Sequence, residues 1–163
     1  MNDYRINKLV AIDPAIKDFH ILQDYISEGA IPQADVVILE PNSQEIEQIS
    51  CALRKNAQLT ELHIISQGSP GFLYLGNSSL SVYNLNYYTS QLKTWSVKNI
   101  FLYGCNIGSK EICKKFVLRL YKTTGANIST LVSSWGMHTK VGVGIWNTSQ
   151  YTSIKPDFAA LTV

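Results

Sequence analysis

The sequence has few charged residues and no long apolar run. Asp, Glu, Lys and Arg make up 16% of the chain, and the net charge is +2. This balance does not favour binding to nucleic acid or to an anionic membrane surface. No apolar run approaches the ~18 residues that span a bilayer, and the N-terminus lacks the basic, apolar and small-residue pattern of a signal peptide. We therefore expect a soluble, cytoplasmic protein without membrane insertion.

Cysteine is also scarce. Cys51, Cys105 and Cys113 form no CxxC pair, and three thiols cannot all be joined in disulfides. Reduced thiols are predicted, and the simplest role for each is that of a small buried hydrophobic residue.

Several ligand-binding motifs are missing. The chain contains no GxGxxG or GxxxxGK(S/T) loop for nucleotide phosphates and no cluster of His and Cys at metal-ligand spacing. It also lacks a basic, aromatic groove of the kind that binds single-stranded nucleic acid. No cofactor and no metal are predicted.

A regular alternation of apolar patterns is present. At 163 residues the chain is long enough for one domain, residues 1–163, with a core that needs neither metal nor disulfide. Short β-branched runs predict strands at 8–12, 34–39, 62–66, 99–103 and 128–133, with a sixth candidate at 141–146. The run at 72–77 predicts a small hairpin.

Helices are predicted between these strands. Apolar residues at helical spacing indicate helices near 19–26, 46–53, 85–95 and 112–120. Asn42 and Glu45 have the spacing of a capping pair, and Gly125 is placed to end the last helix. The alternation predicts a three-layer α/β fold: a mostly parallel sheet of about six strands with helices on both faces.

Two strands end in polar residues next to glycine. The third is followed by Gln67 and Gly68, and the fourth by Gly104 and Cys105. Ligands of parallel sheets bind outside the carboxyl ends of the strands, so these residues face one crevice if the two strands are neighbours. Cys105 is then a candidate nucleophile, and the amides of the two glycines are candidate donors to an oxyanion.

Three segments carry a resemblance to a known family: HIISQGSPG at 63–71, LGN at 75–77 and LYGCN at 102–106. They resemble a bacterial family of unknown function that is often found near the front of very large surface or repeat proteins. The resemblance also takes in 11–13, 36–39, 124–127 and Trp146, and so covers nearly the whole chain.

That family in turn resembles the caspase-like (clan CD) cysteine peptidases. The resemblance implies a caspase-like fold, a histidine base at the first strand end and a cysteine nucleophile at the second. Cys105 matches the nucleophile, but Gln67 stands where the family has the histidine of Ser-His-Gly. Glutamine cannot accept a proton near neutral pH, and loss of a general base costs roughly 10²–10⁴-fold in rate.

Further site residues follow from the same resemblance. Asp13 lies where caspase-like peptidases build their specificity pocket, which implies contact with a basic side chain; the alternative is a turn aspartate before Pro14. Substrate contacts are also expected from residues at the strand ends, namely Ser66, Ser69, Gly104 and Asn106. His138 is a candidate replacement base, whereas His63 is expected to be a hydrogen-bonded core histidine.

Three functions remain open. The leading hypothesis is a degenerate caspase-like peptidase domain that acts as a module for binding a protein or peptide. The alternative is an active or self-processing peptidase that uses His138 as its base. The third is a structural cap in a larger assembly. The aromatic residues Tyr83, Tyr87, Tyr88 and Trp95 are expected to pack a helix, unless they form an exposed patch that marks a partner surface.

Overall fold

The computed structural model describes residues 5–69, 71–103, 111–131 and 151–154. In chain order the elements are β1 (Lys8–Ile12), α1 (Phe19–Ser27), β2 (Ala34–Ile38), α2 (Glu45–Arg54), β3 (Glu61–Ile65), β4 (Gln67–Ser69), β5 (Phe72–Leu75), β6 (Ser78–Ser81), a 3₁₀ turn (Leu85–Tyr88), α3 (Thr89–Leu92), β7 (Asn99–Tyr103), α4 (Glu111–Thr124), β8 (Asn127–Leu131) and β9 (Tyr151–Ile154).

The main sheet has six strands in the order β2-β1-β3-β7-β8-β9. All neighbours pair in parallel except β8 and β9, which are antiparallel. The predicted α/β fold with a mostly parallel sheet is therefore confirmed. Strand β9 was not predicted, because its sequence has no clear apolar pattern, and the candidate strand at 141–146 lies outside the described residues.

Helices cover both faces of this sheet. On one face, Leu22 and Ile26 of α1 pack against a group that includes Val10, Ile12 and Ile65. On the other face, α2, α3 and α4 cover the alternate side chains of the same strands. That larger core includes Ile46, Ile49, Leu62, Ile64, Leu92, Leu102, Phe116 and Leu120. Burial of each such side chain contributes about 1.5–3 kcal/mol to stability. Because successive side chains of a strand point to opposite faces of the sheet, neighbouring residues of one strand contact different helices.

The third predicted helix is broken. A continuous helix was expected to run from residue 85 to Trp95, but the structure has a 3₁₀ turn followed by four residues of α3. Two threonines hydrogen-bond to nearby carbonyls: Thr89 Oγ1 donates to Asn86 O at 3.0 Å and Thr94 Oγ1 donates to Gln91 O at 2.6 Å. Side-chain bonds of this kind compete with a regular helix.

The helix ends follow the sequence only in part. Gly125 ends α4 as predicted, with φ of 77° and its amide donating to Tyr121 O at 2.7 Å. At α2 the expected capping pair does not form. Asn42 Oδ1 instead accepts from the Gln44 amide at 3.0 Å, and the carboxylate of Glu45 turns towards a different element.

The predicted hairpin is part of a second, three-stranded antiparallel sheet in the order β4-β5-β6. A two-residue turn, Gly76 and Asn77, joins β5 to β6. Gly76 has φ of 58°, and a glycine at the first position of such a turn matches the twist of the flanking strands. Leu73, Leu75 and Leu80 point into the larger core, so one face of the small sheet is buried against the main domain.

Candidate functional site

The carboxyl ends of three parallel strands meet at one edge of the main sheet. The Asp13 amide, just after β1, donates to Ile65 O at 2.9 Å, and the Ser66 amide, just after β3, donates to Tyr103 O at 3.3 Å. Ile65 and Tyr103 are direct partners in the β3/β7 register. The expectation that these two strands are neighbours is therefore confirmed. Ser66 lies next to the end of β7, and Asp13 lies next to the end of β3.

Asp13 is buried, with 2% of its surface exposed. Its Oδ1 accepts a hydrogen bond from the Ala15 amide at 3.0 Å, and its carbonyl accepts from the Ile16 amide at 3.1 Å. Asp13 is thus a turn aspartate before Pro14, the alternative that the sequence offered. This turn also holds the carboxyl group at the strand-end edge, beside Ser66.

Ser66 is fully buried at this edge. Its Oγ finds no hydrogen-bond partner in the described part of the chain. A buried hydroxyl without a partner costs about 1–3 kcal/mol, so most folded proteins avoid the arrangement. Among the described residues, Ser66 therefore presents a hydroxyl without a hydrogen-bond partner between the ends of β1 and β7.

Gln67, Gly68 and Ser69 do not continue β3. The predicted strand ran to Ser66, but β3 ends at Ile65, and the chain then turns into β4 of the small sheet. Gln67 is exposed and lies opposite Tyr74, while Ser69 Oγ is 3.1 Å from Tyr74 Oη. Gln67 and His63 consequently belong to different sheets.

The residues predicted to carry the nucleophile, Gly104, Cys105 and Asn106, lie outside the described residues, and so does the alternative base His138. The residues on either side of 104–110 are described. Tyr103 lies beside Ser66, and a Cβ placed on Gly71 would lie 3.0 Å from Ile112 Cγ1, so the tip of the β4/β5 hairpin contacts the start of α4. Tyr103 and Ile112 thus each lie close to residues that follow β3.

His63 is a core histidine, as predicted. It is 6% exposed, its Nδ1 is 2.8 Å from Tyr103 Oη, and its ring stacks on Phe101 with centroids 4.5 Å apart. Its Nε2 is 3.5 Å from Glu61 Oε1 without an aligned hydrogen bond. Burial lowers the pKa of His63 below its ordinary value, although the nearby Glu61 carboxylate opposes this shift. His20, in contrast, is exposed on α1 against the ring of Phe19.

Glu45 is a buried residue whose role the sequence did not indicate. Its Oε1 accepts from the Asn77 amide at 2.7 Å and from the Ser43 amide at 3.2 Å, and its Oε2 accepts from Ser78 Oγ. Burial raises the pKa of the Glu45 carboxyl, but the Ser78 hydroxyl and the backbone amides outweigh burial and hold the pKa below its ordinary value. Glu45 thereby fastens the small sheet to the start of α2.

Nowhere in the described ranges do three or more His, Cys, Asp or Glu side chains form a group that could hold a metal ion. Within the same ranges, no helix has the length and apolar character required to cross a bilayer.

Comparison with protein families matches residues 9–158 to the family described as "Domain of unknown function (DUF4347)". Since the match covers most of the chain, the chain belongs to this family. Comparison with curated proteins found no match.

Proposed function

We propose that this member of the DUF4347 family is a degenerate caspase-like cysteine peptidase domain that binds a peptide or protein segment at the carboxyl edge of its main sheet. In this proposal Cys105 occupies the nucleophile position and Gln67 occupies the position of the base. The site keeps its polar crevice and has lost the group that would activate the thiol.

The observation that carries the proposal is the pairing of β3 with β7. Ser66 N donates to Tyr103 O, so the ends of these two strands lie side by side. One residue separates Cys105 from Tyr103 in the sequence, and Gln67 directly follows Ser66. Adjacent strand ends support the proposal, because a nucleophile and its base need to follow neighbouring strands to meet in one crevice.

Among the described residues, no histidine side chain is placed at this edge, which supports loss of catalysis. Gln67 is exposed there, but an amide side chain cannot abstract a proton near neutral pH. Two histidines lie in the described part of the chain. His63 bonds to Tyr103 within the core, and His20 contacts Phe19 on α1. A cysteine without a base or electropositive surroundings stays mainly a thiol, which is a poor nucleophile.

Retained polar groups support binding. Asp13 contributes a buried carboxyl group next to the end of β3, and Ser66 contributes a buried hydroxyl without a partner in the described structure next to the end of β7. A carboxylate in such surroundings favours a cationic side chain, which would form a charge-assisted hydrogen bond. The proposed ligand is therefore a peptide that presents Lys or Arg at this crevice.

The proposed loss of the base can be tested by introducing a histidine at position 67. The probe is an electrophilic peptide with a terminal arginine, and the measured quantity is its rate of attachment to Cys105 by intact-protein mass spectrometry. Gln67→His should accelerate labelling by roughly 10²–10⁴-fold. Gln58→His is the matched control, because Gln58 is also exposed but precedes β3 at the opposite edge of the sheet, and its labelling rate should equal that of the wild type.

Binding is tested separately with Cys105→Ala and a fluorescent peptide library. Peptides that contain Arg or Lys should bind. The Asp13→Asn change should lower their affinity by about tenfold more than it lowers the affinity of peptides with norleucine in place of Arg or Lys. The proposal fails if wild-type protein cleaves peptides in a reaction that Cys105→Ala abolishes. If His138→Ala abolishes that cleavage as well, the alternative of an active peptidase with His138 as base replaces it.

A further inference from the structure

Three tyrosines near the small sheet are unusually exposed. The exposed fraction is 42% for Tyr74 of β5, 73% for Tyr83 after β6 and 85% for Tyr87 of the 3₁₀ turn. Phe72 connects the first two, since its ring centroid is 6.3 Å from that of Tyr74 and 5.9 Å from that of Tyr83. We call Tyr74 and Tyr83 the tyrosine surface. Grouped exposed aromatic rings mark interaction sites in soluble proteins.

The segment that builds this surface carries no charge. From Leu62 to Leu92 the sequence contains no Asp, Glu, Lys or Arg. Arg119 of α4 reaches the segment, but its guanidinium donates to Val82 O at 2.8 Å and to Asn86 Oδ1 at 2.6 Å. A charged ligand would lose hydration here without gaining a counter-charge from the segment itself, and the Arg119 guanidinium beside it is already directed at two neutral acceptors. The surface therefore suits a neutral partner.

Neutral polar side chains flank the exposed rings. Gln67 lies opposite Tyr74 on one side and Ser79 lies opposite it on the other, so the three side chains form one row across the face of the small sheet. Amide and hydroxyl groups donate and accept hydrogen bonds without needing a charged ligand. Rings bordered by such groups complement a pyranose sugar, which has apolar C–H faces and a rim of hydroxyls.

The adjacent strand edge is closed to an added peptide strand. Asn84 Oδ1 accepts from the Ser81 amide at 2.9 Å, and Asn84 Nδ2 donates to Ser79 O at 2.7 Å. These bonds satisfy backbone groups of β6 that a peptide would need for strand pairing. Recognition next to Tyr83 consequently depends on side chains, which favours a sugar over an extended peptide.

We propose that the tyrosine surface binds a neutral oligosaccharide chain, with Tyr74 and Tyr83 stacking on sugar rings and Ser79 hydrogen-bonding to hydroxyls. This activity goes beyond peptide binding at the strand-end crevice and does not require Cys105 or Asp13.

The test is a titration of the full chain with four neutral hexasaccharides, those of cellulose, xylan, mannan and chitin, followed by NMR chemical shifts. At least one should bind with a dissociation constant below about 1 mM. Tyr83→Ala and Tyr74→Ala should each raise the dissociation constant for that saccharide by about tenfold. Tyr25→Ala is the matched control, since Tyr25 is a 37% exposed tyrosine on α1, and it should leave binding unchanged.

Several outcomes would overturn the proposal. The proposal is wrong if none of the four saccharides binds. It is also wrong if Tyr25→Ala lowers the affinity for the saccharide as much as Tyr74→Ala and Tyr83→Ala do. Binding of a neutral proline-rich peptide in place of the saccharides, lost in the Tyr83→Ala variant, would assign the surface to a protein partner instead. Because Asp13→Asn and Cys105→Ala should leave saccharide binding intact, failure here and failure of the strand-end crevice are distinguishable.

Discussion

His63 Nδ1 lies 2.8 Å from the phenol oxygen of Tyr103, and this contact joins the middle of β3 to the last residue of β7. The imidazole is 6% exposed and stacks on Phe101, so the pair lies inside the core. Tyr103 is also the residue whose carbonyl accepts from the Ser66 amide at the strand-end edge. A buried titratable group is therefore coupled to the edge that carries the proposed site.

We expect this coupling to make the free energy of unfolding depend on pH. Burial lowers the pKa of His63 below 6.5, while Glu61 opposes the shift and Lys8 adds to it. The unfolded chain then takes up a proton near pH 6.5 that the folded chain refuses until a lower pH, so stability falls as the pH drops through this window. Urea denaturation at about pH 7.5 and about pH 5.5 should show the loss.

The variant His63→Phe should lose most of that pH dependence, because it keeps a stacked ring without a titratable group. His20→Phe, on an exposed position of α1, should retain it. An unchanged difference between the two pH values in His63→Phe would contradict this prediction.

Glu45 is expected to contribute stability that acid removes. Its pKa lies below the ordinary 4.5, so the stabilisation is complete above that pH and is lost as the pH falls through the lower, folded pKa. Glu45→Gln should cost about 1–3 kcal/mol at neutral pH and should flatten the stability curve in acid. Chemical denaturation between about pH 3 and about pH 7 measures both effects. Glu40→Gln, at an exposed position, should change neither quantity.

Substitution of Gly76 should be more harmful than substitution of a comparable glycine. Gly76 and Gly125 have φ of 58° and 77°, so an alanine at either position is strained by about 1–2 kcal/mol. A Cβ at Gly76 would also overlap Glu45 Oε1, whereas a Cβ at Gly125 would meet nothing within 4 Å. The midpoint temperature of thermal unfolding should therefore be lower for Gly76→Ala than for Gly125→Ala. If the overlap is the cause, the excess should shrink in a Glu45→Ala background.

A buried hydrogen bond between α2 and the segment after α3 gives a further prediction. Trp95 Nε1 donates to Ser50 Oγ at 2.8 Å, and both residues are fully buried. Ser50→Ala should destabilise the fold by about 1–3 kcal/mol, because it leaves the indole N–H without this acceptor. The double variant Ser50→Ala/Trp95→Phe should cost less than the sum of the single changes, as measured in urea. Additive costs would argue against the bond as the source of the stability.

Local pattern was sufficient to predict much of this fold. The β-branched runs that form β1, β2, β3, β7 and β8 lie close to their predicted positions, because buried parallel strands select such residues directly. The pairing of β3 with β7 was also predictable from the sequence, since consecutive strands of a parallel sheet usually pair. Gly125 ended α4 because the positive φ needed there favours glycine.

Local pattern alone thus accounts for five strands of the main sheet, most helices, the hairpin and the position of His63 in the core. Only the tertiary structure decided that Gln67 belongs to the small sheet, that Glu45 binds Asn77, that Tyr103 meets His63 and that three tyrosines are exposed. The physical reason is separation along the chain: partners 32 or 40 residues apart leave no local pattern, and they meet only once strand order and register bring them together.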